Sequence, residues 1–553
     1  MDTLVLRVAA YTAPALLILI LSRKRSKTIL SKIPGPPPQS FLLGNQGQYE
    51  RSPVGEFEAQ CTKRYGATFK FTGGWGEEVL MTSDPKALQF ILKTSAYSFS
   101  KLELALERNR SFIGNSILGS EREVHQRFRK VMLPAFGLPE VTGLVPIFRE
   151  SVSRVAIKFQ GDINKSQSSS IEINAHAWLS RATLDAIGEA VFSHKFGAVE
   201  GLNTPLTLVF NNLILDIIGF PSNFTLIMIN LLMILPLMFS RLFLFIPTKS
   251  NKRMIENLRV SSSVAKEILA EKEAMLDTEI DSKSLISLFL RSNRSENPRT
   301  RLTEDEIVGQ MNAMMFAGHE TTSTALAYVL WELAKNREIQ CRARAEIERY
   351  YQEARDHEET NIPVTQFGKM AYLNAVIKES LRMNPPLVVL MRYAYRDVVV
   401  PLSQPITIGN TRISEIPLKQ NTRVMIPITQ NPDIWGSDAD VFNPDRWLAD
   451  TKRERNFGVY SNLGTFSDGI HACIGWRIAV YEMQTMLIEL LAKFEFEETE
   501  DTKNVQRVFS GINVPLVKGN NSQTNIPLKV SLVDVSNGLW AECKKLHTVG
   551  DLE

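Results

Sequence analysis

The segment Phe466-Ser467-Asp468-Gly469-Ile470-His471-Ala472-Cys473-Ile474-Gly475 constrains this chain more than any other stretch, because it sets a cysteine between two glycines at the start of an apolar helix. A thiolate just before a helix faces the positive end of the helix dipole and unpaired backbone N–H groups, both of which lower its pKa. Gly469 and Gly475 omit side chains where a flat, bulky group could approach the backbone closely. A lone cysteine is usually buried and inert, but the glycine-flanked loop and the helix start point to a metal-ligating thiolate. Zinc would need three further ligands, and only His471 is near. The other cysteines, Cys61, Cys341 and Cys543, offer no C-x-x-C pair. A disulfide framework, a zinc finger and c-type haem attachment therefore all lack their signature.

The chain has 553 residues, of which 44% are hydrophobic, so disordered and fibrous classes are excluded. Lys+Arg 63 against Asp+Glu 60 leaves a net charge of +3, which is no footprint for nucleic acid. Leu4 to Leu21 is nearly all apolar, at the short end of a bilayer span, and Arg23, Lys24, Arg25 and Lys27 follow it. Basic residues favour the cytosolic side, and no small-residue cleavage site appears. The expectation is a single-pass anchor over residues 1–22, a basic and proline-rich hinge over 23–40, and one cytosolic domain over 41–553. Ile33-Pro34-Gly35-Pro36-Pro37-Pro38 makes the hinge stiff and non-helical. A second apolar stretch, Leu206 to Ile246, is interrupted by Asp216, Pro221, Asn223, Asn230 and Pro236. It reads as a monotopic membrane patch or as buried core helices, both being open at this point.

There are no internal repeats. Ser166 to Ser170 reads as a polar linker, and from Ile171 to about Ala354 the pattern is helical, with amphipathic runs at Trp178–Phe192 and Ile307–Trp331. Another helix, Met370–Met383, should stop at Asn384-Pro385-Pro386. Short β-rich pieces with turns, including Ile408-Gly409-Asn410-Thr411, fill Val388 to Met425. An apolar helix runs from about Ile474 to Phe494, and Ile526–Val533 reads as a last strand. The fold class is mainly α with small β-sheets, in one large domain.

The pattern Phe466-x-x-Gly469-x-His471-x-Cys473-x-Gly475 resembles the haem-binding signature of the cytochrome P-450 family. The resemblance implies haem b (iron protoporphyrin IX) with Cys473 as its proximal ligand. The family usually has arginine where this chain has His471, a residue that pairs with a haem propionate. Glu379-Ser380-Leu381-Arg382 is similar to the family's E-x-x-R pair, whose i, i+3 spacing sets acid and base on one helical face. Phe442-Asn443-Pro444-Asp445-Arg446-Trp447 is similar to the following family segment, whose arginine, here Arg446, joins that pair in a structural triad. His125 and Arg129 match a helix that usually brings Trp and Arg to a propionate, and Arg392 resembles a further propionate contact.

Ala317-Gly318-His319-Glu320-Thr321-Thr322 falls mid-helix, where glycine and β-branched residues weaken the helix and threonine hydroxyls can bend it. It resembles the family's oxygen-binding motif, which implies Glu320 and Thr321 as the acid–alcohol pair relaying protons to dioxygen. By family position Phe112, Phe316, Ala317, Val388, Val389, Gly511 and Ile512 would line a substrate pocket, all apolar or small. The implied activity is a monooxygenase that hydroxylates or epoxidises a lipophilic small molecule. No flavin or dinucleotide fingerprint is evident, so the implied electron donor is an NADPH-dependent cytochrome P-450 reductase on the same membrane, that of the endoplasmic reticulum. The Cys473 and Pro444–Trp447 segments look fungal, which points to a terpenoid or other secondary metabolite. A reductase-independent peroxygenase, isomerase or dehydratase and a non-enzymatic haem-binding sensor are the competing readings. The Glu320–Thr321 pair argues against the former, which needs no relay for dioxygen.

Overall fold

The computed structural model describes residues 28–235, 241, 246–275, 285–297, 299–428, 435–448, 457–520 and 522–533. The expected anchor and its basic cluster lie outside the described residues, as does part of the Leu206–Ile246 stretch.

The helices that frame the site are α1 (Glu103–Ile113), α2 (Arg122–Met132), α3 (Val145–Lys165), α4 (Ala175–Phe192), α5 (Asn223–Ile234), α6 (Lys249–Met275), α7 (Glu304–Lys335), α8 (Arg337–Asp356), α9 (Ala371–Met383) and α10 (Trp476–Lys493). The long helix α7 starts at a capping box: Thr303 accepts from the Glu306 backbone N–H, and the Glu306 carboxylate accepts from the Thr303 N–H. Three acids in its first turn complement the dipole. It runs through the middle of the domain against α4, while α10 packs on α3. Buried side chains of these four helices, among them Phe148, Phe159, Leu179, Phe192, Leu326, Leu330, Met486 and Leu487, make one continuous core. Helix α9 ends at Asn384, before Pro385 and Pro386, as the proline pair dictates.

Twelve strands are described: β1 (Thr68–Thr72), β2 (Glu78–Thr82), β3 (Phe99–Ser100), β4 (Ser170–Asn174), β5 (Val389–Ala394), β6 (Val398–Ile408), β7 (Thr411–Leu418), β8 (Arg423–Pro427), β9 (Phe494–Glu498), β10 (Val505–Ser510), β11 (Ile512–Val517) and β12 (Pro527–Leu532). One sheet has the order β1-β2-β8-β5-β3, with β2 and β8 parallel and Leu80 opposite Val424. The β6–β7 hairpin turns at Gly409, whose φ of +59° is the left-handed conformation that a two-residue loop requires.

Three expectations change. Helix does not begin at Ile171: Ser170–Asn174 is β4, which pairs with the distant β12, Ile171 opposite Val530. Its alternating Ser-Ile-Glu-Ile-Asn pattern suits a half-buried strand. The proline-rich stretch is seated on the domain rather than standing off it. Ile29–Lys32 forms a helical turn with Leu30 and Ile33 buried, and the Lys70 N–H donates to the Pro34 carbonyl at 2.9 Å. The Leu206–Ile246 stretch is divided between its two readings. Leu206, Val209, Phe210, Leu213 and Ile217 are core, whereas Leu208, Phe220 and Phe224 are exposed. Among the described residues no single helix is long and apolar enough to cross a membrane.

Candidate active site

The loop before α10 is built by Asp468. Its carboxylate accepts from the Gly469 N–H and from the Gly458 N–H, each at 2.8 Å, and pairs with Lys93 at 2.9 Å. Gly469 then turns at φ +65°, where a Cβ would run into the Leu92 carbonyl. Gly475 is different, since a Cβ there would meet only the Phe136 ring at an ordinary 3.7 Å. The spatial demand for glycine therefore holds at Gly469, and its cause is the chain's own backbone. The Cys473 N–H donates to the Phe466 carbonyl at 2.8 Å, and α10 begins at Trp476 with Gly475 as its cap, two residues later than expected. Cys473 is exposed at its surface, although the protein surrounding it is dense. Burial pushes its free thiol up, against the expected depression, and outweighs the opposing Gly475 N–H and Arg129 charge. Another positive centre is thus needed to hold the thiolate at neutral pH.

Beside the thiol lies a basic cluster. Arg129 on α2 donates to the Ala472 carbonyl at 2.7 Å. Arg392 on β5 is buried and, among the described residues, bonds only its neighbouring Met391 carbonyl, at 2.9 Å. The His125 ring lies tilted against that of His471, centroids 4.6 Å apart, and its buried Nδ1 has no hydrogen-bond partner among the described residues. Lys101 donates from its backbone N–H to Glu121 at 3.1 Å and from its ammonium to the Leu118 carbonyl at 3.2 Å. Burial brings the Lys101 ammonium down to about 8 and, with His471 and Lys101 alongside, His125 to about 3. The expectation for His471 changes. Its Nε2 meets Glu121, at the N-cap of α2, at 2.9 Å, so the chain supplies a carboxylate of its own. Burial would raise Glu121, but His471 and Lys101 hold it at about 2. Burial keeps His471 itself below the usual imidazole range despite Glu121. An accessible thiol, basic side chains in excess over one acid, and the sealed His125 Nδ1 together fit an iron porphyrin with two carboxylates.

The triad residues meet as expected. Glu379 on α9 is fully buried and receives two bonds from Arg382 and one from Arg446, at 2.8–2.9 Å. The Asn443 N–H and Trp447 Nε1 donate to the same carboxylate at 2.8 and 2.9 Å. Arg446 also pairs with Asp438 at 2.8 Å, and Arg382 donates to the Ala439 carbonyl at 2.6 Å. This closed network holds residues 435–448 on α9, and Thr465 ties the segment leading to Cys473 to the Leu381 carbonyl.

On α7 the helix is unbroken through Ala317–Thr322. Thr321 donates back to the Ala317 carbonyl at 2.7 Å, leaving its oxygen lone pairs as acceptors. Glu320 is buried with its carboxylate 3.4 Å from the Nε2 of its sequence neighbour His319. Burial acts to raise it, but His319 and His176 keep its carboxyl below the usual range, and so ionised. Of the pocket residues, Phe112 packs edge-on against Phe316 with centroids 4.8 Å apart. Phe316 also touches a cluster of Ile214, Ile512, Val514 and Leu516, and a Cβ on Gly511 would strike Ile218. Val388 and Val389 instead pack in a separate cluster with Tyr49, Phe57 and Phe71. Sequence reasoning missed Lys101, Glu121, Asp438, Asp468, Ile214 and Ile218, because nothing local marks charges and apolar groups that meet only across the fold.

A family model described as cytochrome P-450 matches residues 34–516. The chain is 32% identical to cytochrome P-450 monooxygenase 91 of Postia placenta, over 91% of this chain and 94% of that protein. It is 30% identical to cytochrome P-450 monooxygenase 212 of the same fungus, over 93% and 95%. Cytochrome P-450 monooxygenase claO of Ampulloclitocybe clavipes is 29% identical, over 90% and 93%.

Proposed function

The chain belongs to the cytochrome P-450 family and is a haem-thiolate monooxygenase, and on that premise we propose that it oxidises a lipophilic small molecule at a membrane, fed by an NADPH-dependent reductase. The observation that carries the substrate class is the apolar wall in which Phe112, Phe316, Ile214 and Ile512 converge. A hydrocarbon skeleton such as a terpenoid or another fungal secondary metabolite would gain from burial there, at about 25 cal/mol per Å².

Cys473 would hold haem b, which would supply the chemistry of oxygen activation with the thiolate as an electron-donating ligand. Arg129, Arg392, His125 and Lys101 would hold its carboxylates. The Gly475 N–H supports negative charge on Cys473 Sγ. Thr321 and Glu320 manage the protons. In the described conformation Thr321 can only accept a hydrogen bond at Oγ1, and donating would require it to release Ala317. Glu320, ionised and buried, can take up a proton and pass it on, with His319 beside it. Membrane contact is supported by exposed apolar side chains brought together around α5: Phe224 on the helix, Phe220 before it, and Phe41 packed edge-on against Trp75. Trp75 sits beside Gly74, which abuts Asn230 of α5.

The test is NADPH consumption with and without reductase across a lipophilic library, followed by product mass spectrometry. Reductase-dependent insertion of one oxygen atom is the expected outcome. Turnover supported by peroxide alone, with no response to reductase, would favour the peroxygenase reading.

A further inference from the structure

Helix α1 ends at Gly114, in the left-handed region at φ +85°, so its last carbonyls have no partner within the helix. Two of them are capped from other elements. Asn257 on α6 donates to the Phe112 carbonyl at 2.9 Å, and Asn312 on α7 donates to the Ile113 carbonyl at 3.3 Å. Three residues further on, the Ile117 N–H donates to Gln310 Oε1 on α7 at 2.9 Å. All three amides are essentially inaccessible to solvent. On the same face of α7 as Asn312, Gly309 lets the Asn115 carbonyl come so close that a Cβ could not fit. Gly309, Asn312 and Phe316 stand at i, i+3 and i+7, one stripe of the helix. The stripe that grips the end of α1 thus also presents the ring against which Phe112 packs.

The grip has a cost. Asn257 Oδ1, Gln310 Nε2, Asn312 Oδ1 and the neighbouring Ser116 Oγ are buried without a hydrogen-bond partner among the described residues. Buried amides with an unpaired atom are less favourable than apolar side chains of the same shape. Those atoms are also sealed from solvent, so they are no ready-made subsite for a polar substrate group. What the amides supply that apolar side chains cannot is a fixed backbone position for residues 112–117.

We propose that Asn257, Gln310 and Asn312 are positioning residues for substrate selection: a three-amide clamp that docks the end of α1 on α6 and α7 and so sets Phe112 against Phe316 in the pocket wall. The proposal rests on the haem-thiolate reading only in that an iron-binding azole reports the pocket. Imidazole is small enough to report the iron site alone, whereas 4-phenylimidazole must also fit the wall, so a damaged iron site and a lost clamp are told apart.

The experiment is spectral titration of the holoprotein with both azoles, following the Soret band. In the isosteric variants Asn312→Leu and Gln310→Met, the Kd for 4-phenylimidazole should shift by roughly fivefold or more, while that for imidazole stays within about twofold. Gln310→Glu keeps an acceptor for the Ile117 N–H and should restore most of the selectivity, which a merely space-filling role would not do. Adding Asn312→Leu to Phe112→Ala should change nothing further. Equal shifts for both azoles, or no shift for either, would overturn the proposal. Wild-type protein gives an independent check that no variant's folding can obscure. The Ile117 amide, although in a loop, should exchange with deuterium as slowly as helix amides, and exchange as fast as an open loop would overturn the clamp.

Discussion

Two charged clusters flank the Cys473 segment, and they differ in closure. Around Glu379 the charges balance: Glu379 and Asp438 face Arg382 and Arg446, and backbone and indole donors occupy the remaining carboxylate sites. Around Glu121 they do not. One acid faces Lys101 and His471, with Arg129, Arg392 and His125 adding basic groups that it does not match. A cluster that satisfies itself can only hold the fold together. A cluster with surplus cations is arranged for an anion that the chain does not supply, which here fits the carboxylates of a porphyrin.

The largest expected effect breaks the closed cluster. Glu379→Gln leaves the buried Arg382 guanidinium without its counter-charge and Arg446 with Asp438 alone, which should cost about 3–5 kcal/mol of stability and most of the haem content. Denaturant unfolding and the ferrous–CO spectrum measure this, and a loss near zero would mean that the network is not closed on Glu379. Next come Arg129→Met and Arg392→Met in the open cluster. Each should leave the fold intact but speed haem loss to an apo-acceptor protein by about tenfold to a hundredfold, the worth of one charge-assisted bond. Unchanged haem loss in both would remove the contrast between the clusters.

The smallest effect is a pH slope. Burial lowers Lys101 from 10.5 to about 8 in the folded chain. Between those values the unfolded chain keeps a proton that the folded apoprotein has released, so apoprotein stability should rise with pH through that window. Lys101→Met should flatten this part of the curve, and so should bound haem if its carboxylate holds the Lys101 proton. Identical slopes in wild type and Lys101→Met, by denaturant unfolding at each pH, would show that Lys101 is not the buried cation of this cluster.

Legibility in the sequence followed the range of the interaction. The Glu379–Arg382 spacing, the Pro385-Pro386 stop and the helix start after Cys473 each lie within a few residues, and the structure reproduces them with small shifts at the ends. The threonine hydroxyls expected to perturb residues 317–322 do engage the helix backbone, Thr321 donating to the Ala317 carbonyl, although the helix stays unbroken. The partner of His471 could not be read this way. Glu121 lies 350 residues earlier, and no local pattern distinguishes it from any other acid before a helix. The β4–β12 pairing failed to register for the same reason, since a five-residue strand before a long helix looks like that helix's first turn. Val388 and Val389 carried the right chemistry for a pocket, but their neighbours are Tyr49 and Phe71 rather than Phe316.

By itself the sequence determined the family and the cofactor, because those rest on residue types at short, rigid spacings along a few segments. The tertiary structure decided which charges are matched and which are surplus, which apolar residues share a wall, and which amides hold Phe112 in it. Burial and pairing are properties of neighbours in space, and a chain that brings residue 121 to residue 471 sets those neighbours only when it folds.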